Sequence, residues 1–90
     1  MIRSFRSRAL KAFWEDGDSS KLHGSVDRIK RILDILNAAE QPEQLNLPGL
    51  HYHKLAGKPI RYSVRVTANW RITFEWENED ASRINYEDYH

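Results

Sequence analysis

Between residues 62 and 76 the chain alternates side chain by side chain, and this run constrains the fold more than any other feature. Tyr62, Val64 and Val66 are separated by Ser63 and Arg65; further on, Trp70, Ile72, Phe74 and Trp76 are interleaved with Arg71, Thr73 and Glu75, with Asn69 ahead of them. A period of two belongs to β-strands with one buried and one open face, because successive side chains leave opposite sides of the pleat. Strands this close in sequence pair as antiparallel neighbours. The stretch "ENED" reads as a hairpin turn leading into a last strand, "ASRINY", and "HYHKL" is a short strand ahead of the loop "AGKPIR". Trp70, Phe74 and Trp76 are assigned to the core and Glu87 to the surface.

The first half of the chain follows a different period. Residues 1–5 suit an edge strand, and Ser7 then suits a helix N-cap. Leu10, Phe13 and Trp14 share one helical face, and Gly17 is a stop. After a polar loop, Val26, Ile29, Ile32, Leu33 and Leu36 form a second apolar stripe, with Ser25 or Gly24 as cap and Asp27 favouring the helix dipole. Pro42 and Pro48 break the connector "AAEQPEQLNLPGL". The expected fold class is α+β, with two N-terminal helices packed on one face of a curled antiparallel sheet, as a single domain over residues 1–90. Such a layout leaves the other sheet face uncovered, with Arg65, Asn69, Arg71 and Thr73 at it or at its rim. On the helices, Lys21, Arg28, Lys30 and Arg31 are expected on the outer side, where they offer a candidate surface for an acidic partner.

At 90 residues the chain builds one thin core. It has no cysteine, which fits a reducing compartment, and no apolar run approaches the ~20 residues of a membrane span. A cytoplasmic location, with no membrane partner, is the expectation. Fourteen Lys/Arg against thirteen Asp/Glu leave a formal charge of only +1, less than a binder of free nucleic acid by charge alone usually shows. Distribution matters more than the sum: cations cluster in "IRSFRSRALK" and "KRI", acids in "EDGD" and "ENED".

The uncovered face gathers chemistry. His51 and His53 come from one strand, Arg71 from the central strand, and Asp88, Tyr89 and His90 from the chain end, with Lys54 and Lys58 flanking the loop between. Cleaving RNA at its own 2′-OH needs a base, a cation for the phosphoryl oxygens and an acid for the leaving 5′-oxygen. Two imidazoles can divide the proton transfers, and a guanidinium fork suits a phosphate. Taken singly, each residue also reads as ordinary surface, and three histidines without a metal-binding motif are a weak zinc signal, so no metal is expected.

The run "RYSVRVTANWRITFEW", followed after a short acidic turn by "INYEDYH", resembles the HigB-type toxins, plasmid-maintenance killer proteins of the RelE/ParE toxin–antitoxin superfamily. "MIRSF" and "LPGLHYHKLAG" extend the resemblance over nearly the whole chain. It implies a RelE-like microbial-ribonuclease fold and an mRNA interferase that cuts mRNA in the ribosomal A site with no metal or cofactor. It also implies neutralisation by a HigA-like helix-turn-helix antitoxin, with operator DNA reached only through that complex. By position, the family's site histidine falls on His53, its NWR arginine on Arg71, and its terminal residues on Asp88, Tyr89 and His90. Lys54, Lys58, Arg65 and Asn69 are the expected RNA contacts. One position departs: where well-studied members carry a lysine before the loop glycine, this chain has Ala56. A ParE-like toxin that inhibits DNA gyrase without cutting, or an inactive relative acting only in a repressor complex, are the alternatives.

Overall fold

Ser7 starts the first helix by chemistry visible in the sequence. In a computed structural model of the chain, which describes residues 1–88, its side chain accepts the Leu10 N–H at 3.1 Å at the head of α1 (Arg8–Asp16). Gly17 ends that helix in the left-handed region at φ 74°, where a side chain would be strained. Ser25 repeats the device for α2 (Val26–Ala38), accepting the Arg28 N–H at 3.2 Å, with Asp27 in the first turn. The connector does more than link. A 3₁₀ turn over Pro42–Leu45 tucks Leu45 into the core, and Leu50 follows it there.

Strands β1 (His53–Leu55), β2 (Arg61–Arg65), β3 (Trp70–Glu77) and β4 (Asp80–Asp88) form one antiparallel sheet in sequential order. The expected α+β class stands. Leu10 and the α2 stripe of Ile29, Ile32, Leu33 and Leu36 bury against Val64, Ile72, Phe74 and Ile84 on one sheet face. Val26 is half-buried rather than part of the sealed stripe. Of the three aromatics assigned to the core, only Phe74 is fully enclosed. Trp70 is half-buried in a stack between His23 and Tyr86, at ring separations of 4.9 and 4.8 Å, and Trp76 packs at the margin.

Three details differ from the sequence expectation. Residues 1–5 do not form a regular strand; Ile2 and Phe5 make isolated parallel bridges to Ala81 and Ile84 along the outer edge of β4. The cause is a bulge in β4. Thr73 pairs with Asn85 and Glu75 with Ser82, so one extra residue is accommodated on β4 between them. Arg83 lies within that interval at φ 49°. The bulge keeps Ile84 in the core and Asn85 on the open side. Secondly, Arg28 does not face outward. Its guanidinium donates to the carbonyl oxygens of Arg65 and Gly49, tying α2 to the end of β2. Lys30 stays on the outer side as expected, where its ammonium pairs with Asp34 one turn on at 2.8 Å and both side chains remain exposed. Thirdly, His51 precedes β1 in a left-handed conformation at φ 49° instead of lying along the strand with His53.

Candidate functional site

The open face is organised by register. His53, Ser63, Thr73 and Asn85 lie in one row across all four strands, and Arg65, Arg71 and Glu87 lie in the next. Residues paired across an antiparallel ladder sit about 4.5–5.5 Å apart at their Cβ atoms, so each row brings its functional groups together. Ser63 and Thr73 are small and buried, at 2 % and 1 % exposure, and form a polar floor. Above it is a cleft of about 350 Å³ that exposes His51, His53, Lys54, Arg65 and Arg71, with Ala56 at its border.

The cleft thus unites one imidazole-bearing strand with two guanidiniums from adjacent strands. Arg65 and Arg71 are direct cross-strand partners, an arrangement that like-charge repulsion disfavours and that an anion between them relieves. Among the described residues, no carboxylate lines this cleft. Trp70, the neighbour of Arg71, is clamped by His23 and Tyr86, which fixes the start of β3. The Tyr86 hydroxyl donates to the His23 carbonyl, and burial pushes its pKa up, so it remains a neutral donor.

The remaining expected residues fall into three places. Asn69 is exposed in the turn before β3, where its N–H and that of Trp70 donate to the Thr67 hydroxyl at 3.3 and 3.1 Å. Lys58 lines a separate cleft beyond Ala56. Asp88 is exposed at the end of β4, paired in register with Trp70, one position beyond the Arg71–Glu87 pair. Tyr89 and His90 lie outside the described residues.

Two open-face residues escaped sequence reasoning. Glu87, assigned to plain surface, is the hub of a polar cluster. It accepts from Arg61 Nη1 at 2.8 Å, from the Thr73 hydroxyl, and from Asn85 Nδ2 at 3.3 Å. Burial alone would raise its pKa, but the Thr73 hydrogen bond and the Arg61 charge outweigh it and hold the carboxyl below its ordinary value. Arg61, which closes the loop "AGKPIR" in the sequence, is the first residue of β2. Its parity with Ser63 and Arg65 was the available signal, since alternation extended back two residues places it on the open face. Among the described residues no group of three histidine, cysteine, aspartate or glutamate side chains could hold a metal ion. No helix among them is long and apolar enough to cross a membrane.

A family model described as "RelE-like toxin of type II toxin-antitoxin system HigB" matches residues 3–90. Among individual proteins, the chain is similar to Endoribonuclease HigB of Proteus vulgaris, at 42 % identity over 92 residues covering 100 % of both chains.

Proposed function

The chain belongs to the HigB family of RelE-like toxins of type II toxin–antitoxin systems, and from that premise we propose that it is a ribosome-dependent mRNA endoribonuclease that works without a metal. The observation that carries this reading is the meeting of His53, Arg65 and Arg71 in one open cleft whose described lining holds no carboxylate. A phosphodiester fits that charge, and the similar protein from Proteus vulgaris bears the name of an endoribonuclease.

In the proposed reaction the substrate's 2′-OH attacks the adjacent phosphorus. The P–O5′ bond breaks, leaving a 2′,3′-cyclic phosphate on one product and a 5′-hydroxyl on the other. His53 and His90 divide the removal of the 2′-OH proton and the protonation of the 5′-oxygen. Arg71 stabilises negative charge growing on the phosphoryl oxygens, where a guanidinium can donate two parallel hydrogen bonds. Tyr89 stacks on a base or relays a proton, and Asp88 orients an imidazole. Lys54, Arg65 and Asn69 hold the strand around the scissile bond, and Lys58 contacts it beyond Ala56. The partners under this reading are the ribosome with its mRNA, in the cytoplasm, and a HigA-like helix-turn-helix antitoxin through which the complex reaches operator DNA.

The deciding experiment is cleavage of a defined mRNA with and without ribosomes. The parental chain is expected to cut only ribosome-bound mRNA and to leave the same mRNA intact when ribosomes are omitted. Arg71→Ala is expected to lower kcat by about 10²-fold or more while the melting temperature holds, the scale of losing one transition-state donor. Full cleavage by the folded variant would remove Arg71 from the chemistry.

A further inference from the structure

Beyond Ala56 the open face holds a second cleft, of about 390 Å³, whose walls include Arg6, Ala56, Lys58, Arg61, Glu75 and Arg83. Its charge is one-sided, with four cations facing one carboxylate. Two of the cations are fixed in place. Arg61 is held by Glu87 at 2.8 Å and Arg83 by Glu75 at 3.3 Å, and each guanidinium keeps further N–H donors for a ligand. The other two, Arg6 and Lys58, are exposed, and their side chains have no hydrogen-bond or ion-pair partner among the described residues. Backbone structure keeps the set together: the Arg6 N–H donates to the Ile84 carbonyl at 2.8 Å, beside the bulge at Arg83. Concentrating cations in a concave site raises the local potential for an anion.

The position of this cleft identifies the anion. Ala56 borders both clefts, and its methyl group places no long side chain between them. Along β3, Arg71 and Glu75 are four residues apart, about 13 Å at ~3.3 Å per residue, so the two sites follow one another along the open face. A ligand that fills the first cleft with one phosphate and continues into the second must carry repeated negative charge along a flexible strand. We propose that the second cleft is a phosphate-binding subsite for the RNA strand being cut, engaging its backbone to one side of the scissile bond through Arg6, Lys58, Arg61 and Arg83. The proposal rests on the endoribonuclease reading and adds a site to it. It also relocates the cationic help missing at Ala56: the charge lies beyond that residue and acts on strand binding.

The test uses the full chain carrying Arg6→Gln and Lys58→Gln together, assayed on ribosome-bound mRNA over a range of salt concentrations. Both side chains are exposed and unpartnered among the described residues, so the melting temperature is expected to stay at the parental value. KM is expected to rise about tenfold with kcat nearly unchanged. The dependence of log(kcat/KM) on log salt is expected to flatten by about 0.7 for each phosphate that is no longer neutralised. Each single variant is expected to show about half the change in slope. Arg8→Gln with Lys11→Gln, an equal reduction of charge outside the cleft, is expected to behave as the parent. On mRNA with neutral methylphosphonate linkages beside the scissile bond, the parent and the double variant are expected to share one KM. Parental KM and salt slope in the double variant would overturn the subsite and leave the endoribonuclease reading standing. A KM difference that persists on the neutral-linkage mRNA would place these cations against ribosomal RNA instead, and reduced antitoxin affinity with unchanged cleavage would place them against protein; either overturns the proposal. A parental chain that cuts no ribosome-bound mRNA would overturn both readings.

Discussion

Glu87 shows why residue-level function was only partly legible. A glutamate between a tyrosine and an aspartate near a chain end reads as solvated surface, and nothing local says otherwise. Its role comes from register, which sets it beside Arg71 and within reach of Arg61 and Thr73. Because the folded carboxyl titrates below its ordinary value of 4.5, Glu87 contributes stability that is fully present above that value and is lost as pH falls through the lower folded one. Glu87→Gln is therefore expected to destabilise the chain by about 1 kcal/mol at pH 7, the scale of a partly exposed charge-assisted contact. The gap between the two urea midpoints is expected to close on acidification below pH 4.5. Midpoint curves that run parallel from neutral to strongly acidic pH would show that the carboxylate charge adds nothing. By contrast, Arg71 was legible, because its alternation with Trp70 and Ile72 already assigned it to the open face. His51 was not, since it lies ahead of the strand in a left-handed conformation, where strand parity does not apply.

At the scale of elements, the helices and the central strands could be read directly because each carries its own punctuation and period. Ser7, Gly17 and Ser25 mark helix ends by side-chain chemistry alone, and the run from residue 62 to 76 states its faces. What could not be read were the junctions, where a contact joins residues distant in sequence. Arg28 is the clearest case: helical position made it solvent-facing, yet the end of β2 and the turn at Gly49 supply carbonyl oxygens for it. The Arg65 N–H completes this junction by donating to the Leu50 carbonyl at 2.7 Å, immediately before His51. Arg28→Leu leaves those carbonyls without their charged donor and is expected to lower stability by about 1–2 kcal/mol. Cleavage is expected to fall as well, because the junction sets where His51, His53 and Arg65 enter the cleft. Arg28→Lys, which supplies one ammonium for several acceptors, is expected to restore part of both. A melting temperature unchanged in Arg28→Leu, with antitoxin affinity reduced, would instead return this side chain to an outward docking role.

For the whole molecule, the open face depends on a strand that the rest of the sheet holds from one side only. The first residues of the chain hold β4 from the other. The Met1 and Ser4 carbonyls accept the N–H groups of Ala81 and Ile84 at 3.0 and 3.1 Å, while the Arg3 and Arg6 N–H groups donate back to the same two residues, each at 2.8 Å. Ser4 Oγ adds a bond from the Arg83 N–H at 2.9 Å, and Ile2 and Phe5 pack against the core. This explains how a chain of nearly balanced charge presents a basic face: the fold sorts its cations, and the N-terminal residues keep Arg6 and Arg83 on the same side. Removing residues 1–5 is expected to unpair the outer edge of β4, with a large drop in stability and a new tendency to self-associate through the exposed strand. Thermal melting and sedimentation over a concentration series measure the two effects. The drop is expected to exceed that from Asp80→Asn, which removes only the exposed ion pairs of Asp80 with the Met1 ammonium and Arg3, contacts worth little by themselves. A truncated chain that stays monomeric and melts with Asp80→Asn would mean that β4 stands without this cover, and that the bridges at Ile2 and Phe5 follow the fold without supporting it.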